Sequence, residues 1–206
     1  MEYCPLGDLQ RYLIEHTRLR ESDSRDIVGQ IVEGLKFMHD EGFAHRDLKP
    51  GNILIKSCPP GDDWWVKICD MGLSKRIQGA GAGTTAVKGT HGFFAPEQLG
   101  LGGVDPKKAD PFKTDIWCLG EIAFRMLCGE AVFPSYNDLR GYHRGTVRFP
   151  KERLHEIGAS SLAVAFIMSA MLVEPQSRLE THQALNHEWL EMSPDNDLTA
   201  GHTIPR

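Results

Sequence analysis

The stretch HRDLKPGNIL, residues 45–54, decides the fold and indicates the chemistry of this chain. Asp47 and Asn52 stand five residues apart in a loop-like segment, and Asp70 follows the second of two short strand-like runs. Two carboxylates and an amide oxygen brought together at a hairpin suit a hard divalent cation such as Mg²⁺ that carries a phosphate substrate. Lys49 would lie on the same side of an extended loop as Asp47, where its ammonium would neutralise a phosphoryl group in transfer.

The segments around this stretch predict a mainly α fold with a small β-hairpin at 53–69. ILIK (53–56) and WVKIC (65–69) are strand-like runs, and a Pro-Pro-Gly turn lies between them. Apolar spacing predicts helices over residues 22–40, 113–129, 162–173 and 181–190, and the opening stretch reads as connecting chain that runs into a helix. The Gly/Ala-rich residues 77–89 are predicted to form a mobile loop, and residues 192–206 a disordered tail.

Composition limits the classes of protein to which the chain can belong. Its 206 residues suit about one domain, with 41% hydrophobic and 25% charged residues and a net charge of −5. That charge argues against nucleic acid or an anionic membrane as the main partner. The sequence shows no signal-like N-terminus and no apolar run of membrane-spanning length. Five cysteines without a CxxC pair indicate reduced thiols and an intracellular protein, cytoplasmic or nuclear.

These motifs resemble those of the eukaryotic protein kinases over nearly all of residues 1–190. HRDLKPGN is similar to the catalytic loop, DMG (70–72) to the metal-binding motif and KGTHGFFAPE (88–97) to the end of the activation segment. TDIWCLGEIAFRML (114–127) is similar to the large central helix, and residues 174–190 to the closing helices. The resemblance implies ATP and Mg²⁺ as cofactors and a protein substrate. Lys49 and the Gly89–Thr90 pair imply a Ser/Thr acceptor.

The resemblance also implies roles for individual residues. Asp47 would be the catalytic base, Lys49 would contact the transferred phosphoryl group, and Asn52 and Asp70 would hold Mg²⁺.

Further residues would have structural or regulatory roles. Asp115 would tie the central helix to the catalytic-loop backbone, and Glu97 and Arg178 would form a buried ion pair. Arg46 would bind a phosphate on the activation segment. The nearest acceptors there are Thr84 and Thr85.

The opening MEYCPLGDL, residues 1–9, is similar to the hinge between the two kinase lobes. Met1 would be the gatekeeper, Glu2 and Cys4 would bond adenine through their backbone, Asp8 would meet the ribose, and Leu54 would form the floor under adenine. The resemblance therefore predicts a protein-kinase-like C-lobe: a partial kinase domain over residues 1–191. The Gly-rich loop, strand lysine and helix glutamate of the N-terminal lobe have no counterpart in the sequence.

Several residues depart from the family pattern. Met71 replaces the usual Phe of the metal motif, and a flexible Met can fill the same gap. Gly51 and Arg125 stand where kinases that select basic substrates carry acids, which predicts no strong preference for arginine two or three positions upstream. Without an N-terminal lobe, apolar groups near Met1, Leu9, Leu54 and Met71 would be uncovered. Such a surface is expected either to aggregate or to recruit a partner that covers it.

Three functions remain open from the sequence. The chain is the C-terminal lobe of a Ser/Thr kinase that is inactive alone, or a non-catalytic binding or decoy module, or a small-molecule phosphotransferase. GTHGFFAPE and Arg178 disfavour the last. The four residues Asp47, Lys49, Asn52 and Asp70 favour the first, because a decoy has no chemical need of them.

Overall fold

The computed structural model describes residues 3–76, 89–103 and 105–191, and this part of the chain is mainly helical. The helices are α1 Leu9–His16, α2 Glu21–Asp40, α3 Pro111–Cys128, α4 Tyr136–His143, α5 Lys151–Glu156, α6 Ser161–Ala170, α7 Thr181–Leu185 and α8 Glu188–Glu191. The predicted mainly helical fold with a small hairpin is confirmed. Among the described residues, none of the helices has the length and apolar character needed to cross a membrane.

Two small antiparallel sheets lie beside the helices. In one, β1 (Phe43–Ala44) pairs with β4 (Lys75–Arg76), and in the other, β2 (Ile53–Ser57) pairs with β3 (Trp65–Ile68). Ile53 and Ile55 alternate onto the buried face of β2, as the period of a strand requires. The backbone N–H of Cys69 donates to the carbonyl of Asn52 at 2.9 Å. The hairpin therefore brings the start of β2 next to the residue that precedes Asp70.

The centre of the fold is α3. Fourteen of its 18 residues are buried, so other parts of the chain cover it on nearly all sides. Asp110 caps its first turn by accepting the N–H of Phe112 at 2.9 Å, and Gly129 ends it with a φ of 78°. Gly120 permits a close crossing with the end of α6, because an added Cβ would lie 2.5 Å from a side-chain carbon of Met171.

The opening segment is tied to the hairpin. The N–H of Ile55 donates to the carbonyl of Gly7 at 2.9 Å, and Asp8 forms an isolated antiparallel bridge with Leu54. Leu9, the first residue of α1, is fully buried. The prediction that Leu9 lies uncovered was therefore wrong. Its own helix packs against β2 and the segment before it, and these cover the side chain within this chain.

Other differences from the predicted elements concern short helices. No helix was predicted at α4 or α5, although Ser135 and Asp138 form a capping box at the start of α4. The helix predicted over 181–190 is two helices, separated at Asn186 and His187. The loop predicted at 77–89 lies outside the described residues except for Gly89, and the tail predicted at 192–206 lies wholly outside them.

Candidate active site

Asp47, Lys49 and Thr90 form a closed triangle of hydrogen bonds. The Lys49 ammonium donates to Asp47 Oδ2 and to Thr90 Oγ1, each at 2.7 Å, and the Thr90 hydroxyl donates to Asp47 Oδ1 at 2.8 Å. Thr90 is 43 residues away from Asp47 in the sequence, so the triangle ties the end of the activation segment to the catalytic-loop stretch. A carboxylate with a neighbouring ammonium can accept a hydroxyl proton and stabilise negative charge at one place.

Asn52 holds the loop that carries Asp47. Its Nδ2 donates to the Asp47 carbonyl at 2.8 Å and, at 3.4 Å, to the Asp47 carboxylate. The short 3₁₀ helix Pro50–Asn52 carries this side chain, which is buried. Because the amide nitrogen faces Asp47, the amide oxygen points away from that carboxylate and remains suitable as a ligand for a hard cation.

Asp70 follows β3, at the same end of the hairpin as Asn52, and is exposed. Its backbone is left-handed, with a φ of 61°, and its side chain accepts the N–H of Gly72 at 3.3 Å. Such a conformation costs free energy in a residue other than glycine, and it turns the carboxylate at the strand end. Asp47, Asn52 and Asp70 supply only oxygen donors, and this donor set fits Mg²⁺ carried with a phosphate.

Asp115 of α3 is the buried anchor of the catalytic loop. Its carboxylate accepts the backbone N–H groups of His45 and Arg46, each at 2.8 Å, and His39 Nε2 lies 2.9 Å from Oδ2. Arg46 has a φ of 71°, a strained value for a residue with a side chain. Two backbone N–H bonds to one carboxylate therefore help to hold the strained backbone just before Asp47.

Glu97 and Arg178 form a bidentate ion pair beneath the end of the activation segment. The Arg178 guanidinium donates to the two Glu97 oxygens at 2.7 and 2.8 Å. Arg178 is 2% exposed and Glu97 is 4% exposed. Arg178 also donates to the carbonyls of Leu172, Lys113 and Val173. The residues around Pro96–Leu99 are therefore fastened to the N-terminal end of α3.

Of the predicted adenine-site residues that the structure describes, Asp8 and Leu54 pair with each other at the edge of β2. Cys4 is half-buried, and its carbonyl accepts the N–H of Gly7 at 3.4 Å. Burial raises the pKa of the Cys69 thiol, and the nearby charges of Asp70, Asp8 and Cys4 raise it further. Asp8 also caps α1 by accepting the N–H of Arg11 at 2.9 Å. Leu54, which pairs with Asp8, is partly exposed.

Four predicted residues, Met1, Glu2, Thr84 and Thr85, lie outside the described residues.

Sequence reasoning missed two histidines of this site. His45 Nε2 lies 2.9 Å from the Cys69 carbonyl, and its Nδ1 accepts the N–H of Asp47 at 3.3 Å. His39, near the end of α2, contacts Asp115 and packs edge-on against Phe112 at 4.8 Å between ring centres. The histidine that begins the HRD motif was visible in the sequence, but its partners are distant along the chain.

Comparison with known proteins agrees with this geometry. The model of the family described as "Protein kinase domain" matches residues 1–190. The calcium/calmodulin-dependent protein kinase type 1 of Macrobrachium nipponense is 36% identical over 187 residues, covering 89% of this chain and 51% of that protein. The serine/threonine-protein kinase cds1 of Schizosaccharomyces pombe is 34% identical over 192 residues, covering 92% of this chain and 40% of that protein.

A solved structure shares the fold. The structure of the Rad53 kinase domain and SCD2 superposes with a TM-score of 0.76 at 31% identity, covering 94% of this chain and 67% of that one. The chain spans about half of the length of the Macrobrachium nipponense kinase and less than half of the length of cds1. With the family pattern matched along residues 1–190 and the fold shared, this chain belongs to the protein kinase family.

Proposed function

We propose that residues 1–191 are the hinge and C-terminal lobe of a Ser/Thr protein kinase. The observation that carries this proposal is the Asp47–Lys49–Thr90 triangle, with Asn52 bonded to the Asp47 loop. The three side chains of this triangle can bind the hydroxyl group of a substrate together with the phosphoryl group that this hydroxyl attacks. The relatives named as kinases of serine and threonine support the same acceptor class.

In the proposed reaction, Asp47 accepts the proton of the substrate hydroxyl while Lys49 neutralises charge on the transferred γ-phosphoryl group. Thr90 orients both groups through its two hydrogen bonds. Asn52 and Asp70 would hold Mg²⁺, which when bound would supply charge neutralisation at the phosphates. The Asp115 anchor and the Glu97–Arg178 pair act only by fixing the backbone that carries these groups.

ATP is the proposed phosphoryl donor. A second solved structure of the Rad53 kinase domain and SCD2, with a TM-score of 0.76, is a complex with AMPPNP. In this chain, adenine would lie over Leu54, beside the hinge residues Glu2 and Cys4 and past Met1, with its ribose near Asp8. Arg46 would bind a phosphate added at Thr84 or Thr85.

The chain of 206 residues is proposed to lack appreciable activity by itself. Its sequence offers no Gly-rich loop and no strand lysine to hold the β- and γ-phosphates, and phosphoryl transfer depends on positioning and electrostatics. A protein segment that supplies those groups would cover Tyr3, Leu6 and Met71, which are 82%, 44% and 57% exposed. The proposed partners are therefore a Ser/Thr protein substrate and this covering segment.

A phosphoryl-transfer assay tests the proposal. The chain would be assayed alone and fused behind the N-terminal lobe of a related kinase, with radiolabelled ATP, Mg²⁺ and a generic Ser/Thr substrate. We expect transfer only from the fusion, with a loss on the order of 10²-fold or more in Asp47→Ala. The matched control is Asp62→Ala, at an exposed loop carboxylate in the turn between β2 and β3. A folded but inactive fusion would favour the non-catalytic binding or decoy module instead.

A further inference from the structure

A cavity of about 370 Å³ lies between the end of the activation segment, α3 and the start of α4. Five aromatic rings contribute to its walls: His91, Phe94, Trp117, Phe133 and Tyr136. Of the described residues that line it, Glu121 is the only one with a carboxylate. The described lining therefore combines several aromatic rings with one carboxylate, and none of the described lining residues is a lysine or an arginine.

The carboxylate of Glu121 is only partly compensated. It is 2% exposed, and its Oε1 accepts both Arg125 Nε at 2.7 Å and the N–H of Val132 at 3.3 Å. Burial raises the pKa of Glu121 although Arg125, Val132 and Arg153 act to lower it. A buried carboxylate whose charged form is still disfavoured gains from an additional nearby cation.

Beyond its bond to Glu121, the Arg125 guanidinium contacts the activation segment. It lies over the Phe93 ring, 4.4 Å from its centre, and donates to the Gly92 carbonyl at 3.2 Å. It is not among the residues that line the cavity. Arg125, which stands where kinases that select basic substrates carry an acid, therefore contacts the backbone of the activation segment. Glu121, one turn earlier on α3, lines the cavity.

The lining selects among possible occupants. An anion would be repelled by Glu121, and an aliphatic group would leave a buried carboxylate facing hydrocarbon. A cation on an apolar stem satisfies both parts of the cavity, since aromatic faces attract cations and the stem packs on the rings. The side chains of arginine and lysine have this chemistry.

The cavity lies close to the acceptor site. His91 and Gly92, which line it, directly follow Thr90, whose hydroxyl is 2.8 Å from Asp47 Oδ1. A polypeptide that presents a hydroxyl to Asp47 passes within a few residues of the cavity. We propose that this cavity binds one arginine or lysine side chain of the protein substrate, through the Glu121 carboxylate and the surrounding aromatic rings. This inference rests on the proposed function of the Asp47 site.

Peptide binding to the 206-residue chain tests the inference without catalysis. Labelled serine peptides would carry a single arginine at each position from four before to four after the serine, and a matched series would carry neutral citrulline. Fluorescence anisotropy measures both series. At one position we expect arginine to bind roughly tenfold more tightly than citrulline. Glu121→Gln should reduce that ratio to about twofold or less and leave citrulline binding unchanged.

Two different variants are used so that misfolding of one does not leave the inference untested. Glu121→Gln keeps an oxygen that can accept from Arg125 and Val132, and circular dichroism checks its thermal unfolding. Tyr136→Ala removes a ring that is 53% exposed and should lower the arginine-to-citrulline ratio severalfold without disturbing the core. If Glu121→Gln does not fold, Tyr136→Ala decides.

Three results would overturn the inference: equal binding of arginine and citrulline at every position, a ratio that survives both variants, or no peptide binding at all. The proposed function is judged separately by the fusion's transfer to a generic substrate, so failure of one can be told from failure of the other.

Discussion

Asp115 and Asp70 belong to the same family pattern, but their surroundings differ sharply. Asp115 is fully buried, and its carboxylate accepts two backbone N–H groups and contacts His39. Asp70 is exposed and accepts one long bond, from the N–H of Gly72. The first carboxylate has its partners within the chain, and the second is available to a ligand. The comparison separates a carboxylate that fixes the backbone of the site from one that is open to solvent.

The same contrast extends to two groups of residues. The anchor group is Glu97, Asp115 and Arg178, whose charges are satisfied in the interior. The edge group is Asp47, Asn52 and Asp70, at the ends of the catalytic loop and the hairpin. We expect changes in the anchor group to lower the free energy of unfolding, and changes in Asp70 to affect ligand binding instead.

The largest expected effect is that of Arg178→Met. This substitution removes the partner of Glu97 and leaves a carboxylate that is 4% exposed without its cation. Such a loss costs about 3–5 kcal/mol, which would lower the melting temperature by on the order of 10 °C. Thermal unfolding by circular dichroism measures it. The matched control is Lys36→Met, which breaks the exposed pair with Asp40 and should change stability by less than about 0.5 kcal/mol. Equal effects of the two variants would contradict the contrast.

Asp115→Asn should have the next largest effect. The amide keeps the shape of the side chain but offers only one acceptor oxygen, while two N–H groups converge on the carboxylate. Leaving a buried donor without its charged acceptor costs about 2–3 kcal/mol, measurable by urea denaturation. Asp62→Asn, in the exposed hairpin turn, is the control. A stability loss no greater than that of the control would show that other contacts hold the strained Arg46 backbone.

Much of the fold could be predicted from the sequence because its main elements carry local signals. α2 begins at Glu21 and α3 ends at Cys128, each within one residue of the predicted end, since apolar spacing and Gly129 mark them. The short α5 escaped prediction because six residues give too little periodicity. The burial of Leu9 depends on pairing between Asp8 and Leu54, which are 46 residues apart and carry no local signal.

The candidate site was predictable to the extent that it lies in contiguous motifs. Asp47, Lys49 and Asn52 come from one loop, so their identity was apparent. The surroundings of Glu121 could not be predicted in this way, because a charged residue inside an apolar helix can face solvent, a partner or a cavity. Helix spacing alone pairs it with Arg125, four residues later, but only tertiary packing places it beside the aromatic rings. Partners that come from distant segments are thus the part that local patterns miss.

Asp70→Asn should leave stability unchanged within about 0.5 kcal/mol, because the exposed carboxylate contributes one long hydrogen bond. It should abolish the stabilisation that Mg²⁺ with ADP gives to the chain, which is about 1.4 kcal/mol at tenfold excess over Kd. Thermal unfolding with and without Mg²⁺–ADP measures both quantities. Asp62→Asn should retain the ligand effect. A full ligand effect in Asp70→Asn would show that this carboxylate does not hold the metal.

The smallest expected effect concerns His187, far from both groups. Burial lowers the pKa of His187, partly countered by Glu188, and its Nδ1 accepts the N–H of Trp189 at 3.1 Å. Because the folded pKa lies below the unfolded value of about 6.5, its contribution to stability is complete above pH 6.5 and is lost as pH falls below it. The loss should stay under about 1 kcal/mol, since the ring is only half-buried. His187→Gln keeps an acceptor for Trp189 without titrating, so wild type should lose stability relative to the variant between pH 7.5 and pH 5.5. Urea denaturation at the two pH values measures this difference, and an unchanged difference would mean that the ring titrates alike in the folded and unfolded chain.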